Sequence, residues 1–187
     1  MRRGVMLVFG LVLAAGLAWW AGSATGDLLG SEDKEGHFQR QKAMTEAFEQ
    51  KNDAIKIGNR WPDILLQNLE GDWIATSSII HDTTLIVFFE PGCEACEVEL
   101  DALGEFLTGE EKLPRVVLLS DGHPLDIAQI KKARGIRSPI LIDRGRELSL
   151  KMEGMIYPMN FMISPDLTIV SIVAGRLTRD EIRELLQ

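Results

Sequence analysis

Two cysteines are the residues of this chain most able to do chemistry. Cys93 and Cys96 are its only cysteines, and they lie two residues apart in the stretch FFEPGCEACEVEL. A pair with this CxxC spacing can exchange electrons with a disulfide, or it can supply half of a zinc site. Four glutamates and no basic residue occupy the same stretch. The sequence on either side of the cysteines is needed to choose between disulfide exchange and zinc binding.

A zinc site would need ligands that the chain does not offer at suitable spacing. A structural zinc site takes a second CxxC or a pair of histidines. The three histidines are far from one another and from the cysteines in sequence: His37, His81 and His123. We therefore expect no metal at the CxxC, and no cofactor.

The segments on either side of the cysteines predict a buried strand followed by a helix. TTLIVFFE is a continuous apolar run, typical of a strand buried on both faces, and CEACEVELDALGEFL has helical spacing. Pro91 and Gly92 provide a sharp exit from the strand. Cys93 then lies at the helix N-terminus, where free N–H groups and the dipole favour a thiolate. Cys96 lies one turn further in, able to attack a mixed disulfide, so exchange is favoured over an inert buried pair.

The remaining elements predict one mixed α/β domain over residues 59–187. PDILLQNLEGDWIAT alternates around Glu70-Gly71-Asp72, which indicates a β-hairpin. PRVVLLS and SPILIDR indicate buried strands, PLDIAQIKKARGI a helix ending at Gly135, and RELSLKMEG a short helix. YPMNFMISPDLTIVSIVAG indicates two further strands, and TRDEIRELL a closing helix with Thr178 as its N-cap. Alternating strands and helices predict a central sheet with helices on both faces.

The N-terminus predicts a membrane anchor over residues 1–26. Arg2 and Arg3 precede an uncharged run that is longer than the roughly 18 residues needed for a span. The positive-inside rule holds the arginines in the cytoplasm, and Trp19 and Trp20 suit the far interface. The alternative is a signal peptide cleaved near AGSA, giving a secreted protein. Both place the rest of the chain outside the cytoplasm, where a disulfide can persist.

Composition predicts a spacer and excludes one class of partner. Residues 27–58 are polar and charged with loose helical spacing, and we interpret them as a membrane-proximal spacer, partly helical, outside the core. The chain has a formal net charge of −8 and a pI of about 4.9. Nucleic acid is excluded as a partner because phosphate binding needs clustered Lys and Arg.

The active-site stretch resembles that of thioredoxin-like proteins, and more narrowly the TlpA/ResA-type, membrane-anchored redoxins. Three features carry the narrower resemblance. Glu99 lies three residues after Cys96; a hairpin precedes the active-site strand; and YPMNFMISPDLTIVSIVAG resembles the family's cis-proline segment and hairpin. The resemblance covers residues 60–187 and implies a thioredoxin-like fold with an extra N-terminal β-hairpin.

The resemblance also implies roles for site residues. Cys93 would be the nucleophile, Cys96 the resolving thiol, and the two would form the redox disulfide. Pro158 would be a cis-proline facing that disulfide, with the Tyr157 backbone and Gly92 contributing to substrate binding. Glu99 would tune the thiols and transfer a proton; its alternative is an ordinary helical glutamate facing water.

The chain departs from the family pattern at several positions. Gly92 replaces a tryptophan, Ala95 a proline, and Met159 a threonine, while Glu90 lies where a small residue is typical. Val87 occupies the strand position of thioredoxin's buried aspartate, and Tyr157 is bulky for its place. These departures bear on partner specificity and redox poise, and leave the reaction type unchanged.

The glutamates predict a direction for the chemistry. Glu90, Glu94, Glu97 and Glu99 oppose a negative charge at Cys93, while the helix terminus favours it. We predict a moderately acidic thiol and a protein that reduces disulfides of exported proteins. The resemblance implies a membrane electron donor and, as one target, apocytochrome c thiols. The other partners would be a protein disulfide substrate and, through the anchor, the inner membrane.

Three alternatives stay open. A peroxiredoxin would need a threonine or serine where this chain has Glu90. A copper-delivering Sco-like protein would need CxxxC spacing and a distant histidine. A membrane-tethered, thioredoxin-like binding or chaperone module would need no turnover.

Overall fold

The computed structural model of the protein describes residues 34–108 and 115–186. The chain divides into two units, Met1–Arg40 and Gln41–Gln187. In the first unit the described residues, 34–40, are helical. The predicted anchor at 1–26 lies outside the described residues. Within the ranges that are described, no helix is both long and apolar enough to cross a membrane.

The second unit contains a mixed β-sheet whose central strand leads into the CxxC. In the described residues the strand order is β2-β1-β5-β4-β3-β6-β7. β3 pairs parallel with β4 and antiparallel with β6. The strands are β1 Leu65–Gln67, β2 Trp73–Ala75, β3 Thr84–Phe88, β4 Val116–Ser120, β5 Ile140–Ile142, β6 Met159–Ile163 and β7 Ile169–Ala174. The predicted hairpin is confirmed as the antiparallel pair β1–β2.

Helices cover both faces of this sheet, as predicted. Side chains alternate along β3: Ile86 and Phe88 enter the core on one face, Leu85 and Val87 the core on the other. Since both faces are covered, every β3 residue is buried, which explains its continuous apolar run. The helices are α1 at 41–51, α2 Glu94–Ala102, α3 Gly104–Thr108, α4 Pro124–Arg134 and α5 Arg179–Leu185.

Two predicted helices differ in the structure. The helix expected over 93–107 is interrupted at Leu103, which separates α2 from α3. The short helix expected through RELSLKMEG is a single 3-10 turn, Ser149–Lys151. The buried Asp143 carboxylate accepts the backbone N–H groups of Glu147, Leu148 and Ser149, which the start of a helix leaves without partners. The turn ends at Met152, whose ψ of 79° is not helical, so no longer helix follows.

The expected spacer at 27–58 contributes to the core, contrary to the sequence interpretation. Phe48 of α1 and Ile55 after it are buried in the cluster that also contains Trp61 and Phe161. The rings of Phe48 and Phe161 meet edge to face with centroids 6.2 Å apart. Because the segment is mostly polar and charged, its composition did not indicate that Phe48 and Ile55 are buried. The helix α1 is therefore part of the redoxin-like unit.

Candidate active site

The CxxC lies where the central strand β3 turns into helix α2. Phe89 is the last buried residue of the strand segment, and Gly92 turns the chain with φ of 82°, a conformation that favours glycine. Cys93 then caps α2 with extended backbone angles, φ −79° and ψ 112°. Its sulfur accepts the backbone N–H of Cys96 at 3.2 Å. The junction thus directs a helix N-terminal donor at the first sulfur.

The two cysteines are joined by a disulfide and differ in exposure. The Cys93–Cys96 bond spans the first turn of α2. Cys93 is half-buried, whereas Cys96 is 1% exposed and lies in the core beneath α2. A dithiol in this arrangement offers one sulfur to an incoming protein and keeps the other covered.

The loop before β6 brings a backbone carbonyl next to the first sulfur. The Tyr157–Pro158 peptide bond is cis. The carbonyl oxygen of Tyr157 lies 3.7 Å from Cys93 Sγ. The predicted binding residues Tyr157, Pro158 and Gly92 therefore lie together around Cys93, although they are far apart in sequence.

Tyr157 is held by two residues that the sequence did not single out. Its hydroxyl donates to Asp121 Oδ1 at 2.7 Å, and Asp121 Oδ2 accepts from Arg146 Nε at 3.0 Å. Burial, followed by the hydrogen bond to Asp121, raises the pKa of Tyr157 above its usual value. The available signal was the position of Asp121 directly after strand β4, since functional side chains collect at carboxyl ends of strands in α/β sheets.

Glu99 is a buried carboxyl group, so the alternative of a glutamate facing water is wrong. Its residue exposure is 0%. Oε2 accepts the backbone N–H of Leu177 at 2.6 Å and lies 3.4 Å from Asn160 Nδ2. Burial raises the pKa of Glu99 to about 8, while the bond from Leu177 opposes that rise. Such a group exchanges a proton near neutral pH.

Asn160 is a second site residue that sequence reasoning missed. It lies on β6, opposite Val87 in the register of β3, and is 1% exposed. Among the described residues neither Asn160 Oδ1 nor Glu99 Oε1 has a hydrogen-bond partner. An asparagine inside the apolar strand MNFMI was the signal, because amides are rarely buried without a role.

The other carboxylates around the CxxC have separate surroundings. Glu90 and Glu94 are exposed. Glu97 pairs with Arg134 of α4, which also pairs with Asp101. Within residues 34–108 and 115–186, no group of three His, Cys, Asp or Glu side chains is arranged to hold a metal ion.

Comparison with known proteins agrees with this geometry. The family model described as AhpC/TSA family matches residues 57–172, more than half of the chain. The chain belongs to the AhpC/TSA family. The match contains β3, the CxxC, the cis-proline loop and most of β7.

Relatives of this AhpC/TSA-family chain confirm the narrower resemblance to TlpA/ResA-type redoxins. The thiol-disulfide oxidoreductase ResA of Bacillus cereus (strain ATCC 10987 / NRS 248) is 24% identical over 147 residues, covering 77% of this chain and 84% of the relative. The prediction of a thiol–disulfide redox enzyme is confirmed at the level of this class.

Solved structures confirm the thioredoxin-like fold. A putative protein disulfide isomerase from Bacteroides thetaiotaomicron superposes with a TM-score of 0.60 at 19% identity, covering 71% of this chain and 87% of its own. A secreted Mycobacterium tuberculosis disulfide oxidoreductase, homologous to E. coli DsbE, gives 0.56 at 15% identity, covering 66% and 94%.

Proposed function

We propose that this chain is an extracytoplasmic oxidoreductase that reduces disulfides of exported proteins through Cys93 and Cys96. One observation carries the proposal: the Cys93–Cys96 disulfide caps α2 next to the cis-proline loop. A half-buried first cysteine, a buried second cysteine and a nearby backbone carbonyl suit a two-step exchange with a peptide.

The first step is attack by the reduced enzyme. The Cys93 thiolate attacks one sulfur of the substrate disulfide, forms a mixed disulfide and releases the other substrate sulfur, which takes up a proton. The N–H of Cys96 and the α2 terminus favour the thiolate. The Tyr157 backbone beside Cys93, together with Gly92 and Pro158, would bind the substrate as a short extended strand.

The second step is resolution by Cys96. Its thiol loses a proton and attacks Cys93 Sγ, which releases the second substrate sulfur and leaves the enzyme disulfide. In total two electrons pass from the enzyme dithiol to the substrate. Each released substrate sulfur takes a proton from solvent, the Cys93 proton has already gone to solvent, and the Cys96 proton stays on the enzyme. Glu99 lies one helical turn after Cys96, and we assign it the proton of that thiol. A buried carboxyl with a pKa of about 8 holds this proton in the disulfide form at neutral pH.

The charges near Cys93 support the reducing direction. Exposed Glu90 and Glu94 oppose a thiolate, and Arg134 is engaged by Glu97 and Asp101. A less stabilised thiolate makes the dithiol the better electron donor. The negative charge of Glu90, which is exposed next to the site, also contributes to the raised pKa of Tyr157.

The location and partners complete the proposal. The N-terminal run 1–26 would anchor the domain on the outer side of the cytoplasmic membrane, with signal cleavage as the alternative. A secreted structural neighbour supports the extracytoplasmic location. A membrane protein would supply the electrons, and apocytochrome c thiols are one candidate target.

Cysteine variants test the proposal in a turnover assay with a peptide disulfide and excess dithiothreitol. Cys93→Ser should lower turnover at least about a hundredfold, because it removes the nucleophile. In a separate incubation, with Cys96→Ala reduced beforehand and then freed of dithiothreitol, the variant should stall as a 1:1 mixed disulfide on Cys93, detectable by mass. The double variant is the matched control and should form no adduct.

Three results would contradict the proposal. Turnover retained in Cys93→Ser would show that Cys93 is not the nucleophile, and absence of turnover in the wild-type protein would favour the binding-module alternative. A reduction potential near that of a strong dithiol oxidant, about −120 mV, would reverse the direction.

A further inference from the structure

The connection of residues 174–177, between β7 and α5, contacts the active site through its backbone. The N–H of Gly175 donates to the carbonyl of Pro158 at 3.0 Å. The N–H of Leu177 donates to Glu99 Oε2 at 2.6 Å. The position of this connection therefore sets a hydrogen bond to the buried carboxyl and another to the cis-proline.

A third contact ties the connection to β6. The carbonyl of Gly175 accepts from Asn160 Nδ2 at 3.0 Å, and the same amide nitrogen lies 3.4 Å from Glu99 Oε2. One amide group thus links the connection and the carboxyl. A displacement of the connection changes the hydrogen bonding of Glu99 by two routes.

Helix α1 holds the same connection from its other side. Thr45 Oγ1 accepts the N–H of Ala174 at 2.9 Å, and Gln41 Nε2 donates to the carbonyl of Arg176 at 2.8 Å. Gln41 is 4% exposed, so its amide has been removed from water to make this bond. A Cβ atom at Gly175 would lie 2.9 Å from Met44 Cε, so the connection packs directly against this side chain of α1.

We infer that Gln41 and Thr45 are positioning residues for Glu99, acting through the connection 174–177. The inference deepens the proposed function and rests on the proton role given there to Glu99. The simpler alternative is that both side chains only dock α1 against the sheet. Docking alone predicts no effect on the titration of Glu99, which makes the two distinguishable.

The expected effect has a definite sign. The bond from Leu177 to Glu99 favours the ionised carboxylate and lowers its pKa, against the larger effect of burial. Loosening the connection weakens that bond while the carboxyl stays buried, so the pKa of Glu99 rises. The charged groups that act on Glu99 are Glu181 of α5 and Arg176 of the connection, and the test leaves both in place.

The test is carboxyl ¹³C NMR on the full-length disulfide form, with the Glu99 signal assigned by its loss in Glu99→Gln. Thr45→Val removes the acceptor with little change of shape, and Gln41→Leu removes the donor. We expect the double variant to raise the Glu99 midpoint by about half a pH unit or more, and each single variant by less. Thr45→Ser should restore the wild-type midpoint.

The matched controls are Lys42→Ala and Glu46→Ala on the same helix, whose side chains form an ion pair and are each 59% exposed. These should leave the midpoint unchanged. An unchanged midpoint in the variants of Gln41 and Thr45 would overturn the inference. A lowered midpoint would overturn it too, because it would mean that water had entered. If the double variant does not fold, the nearly isosteric Thr45→Val alone decides.

Different results would contradict the positioning inference and the proton role of Glu99 in the proposed function. Wild-type turnover in Glu99→Gln would remove the proton role of Glu99 and leave the NMR titration intact. An unchanged Glu99 midpoint in the variants of Gln41 and Thr45, with turnover lost in Glu99→Gln, would support the proton role of Glu99 and contradict its positioning by α1.

Discussion

At the scale of single residues, Glu99 links stability and redox chemistry. Its carboxyl is buried with one oxygen bonded to Leu177 N–H and the other without a partner among the described residues. Burial in a low-dielectric interior disfavours the charged form, and this outweighs the hydrogen bond, so the pKa rises to about 8. The folded protein therefore binds a proton that the unfolded chain releases at lower pH.

The raised pKa predicts that the disulfide form loses stability as pH increases. The unfolded pKa is near 4.5 and the folded pKa about 8. Below pH 4.5 both states carry the proton. Between the two values only the folded state does, so the free energy of unfolding falls with pH, by up to about 1.4 kcal/mol per pH unit. Urea unfolding at several pH values measures this slope.

Glu99→Gln is the matched variant for this prediction, since its amide oxygen can still accept the N–H of Leu177. It should flatten the slope between pH 4.5 and 8. An equal slope in wild type and variant would show that the pH dependence arises from another group.

At the scale of elements, each helix near the site begins at a residue whose side chain accepts a backbone N–H. Cys93 caps α2, His123 caps α4 and Thr178 caps α5. The cap of α5 is a capping box, because the side chain of Glu181 also accepts the N–H of Thr178, at 2.6 Å. Ile182, which follows, is fully buried, so this cap fixes the entry of α5 onto the core.

Thr178→Ala should lower the free energy of unfolding by about 1 kcal/mol, because the N–H of Glu181 loses its acceptor. Denaturant titration at fixed pH measures the change. Thr178→Ser keeps the hydroxyl and should stay close to wild type. An equal loss in both variants would assign the effect to packing of the threonine methyl group.

At the scale of the whole molecule, helix α1 is a structural part of the redoxin-like unit. It contributes Phe48 to the core cluster and two hydrogen bonds to the connection 174–177. A redox domain designed to begin at residue 59 would lack both. The unit that contains the sheet therefore begins before residue 59, the start that the sequence suggested for the redoxin domain.

Phe48→Ala in the full-length chain should lower the free energy of unfolding by about 3 to 4 kcal/mol, because it leaves a cavity beside Phe161. Thermal and denaturant unfolding measure it. Phe38→Ala is the control: Phe38 is 54% exposed, and its truncation should change stability by less than about 0.5 kcal/mol. Similar losses in both variants would contradict the core role of Phe48.

Sequence patterns predicted the site's local parts well and its long-range parts incompletely. The strand, the turn at Gly92 and the capped helix follow from local periodicity and backbone preference, which act over a few residues. Asp121, Arg146 and Asn160 were missed because the residues that they contact lie 25 to 61 positions away in the sequence. The helix expected through RELSLKMEG is limited to a single 3-10 turn because the backbone leaves the helical region at Met152, where ψ is 79°.

The sequence by itself determined the dithiol, its place at a strand-to-helix junction, and the fold class, since these depend on spacing and hydrophobic pattern. Only the tertiary structure decided the environment of each carboxylate in FFEPGCEACEVEL. Glu99 is buried under the 174–177 connection, Glu97 is paired with Arg134, and Glu90 remains exposed. The physical reason is that the pKa and charge of a side chain depend on burial and on partners from other elements. Glutamates from one short stretch of sequence therefore differ in their burial and in their partners.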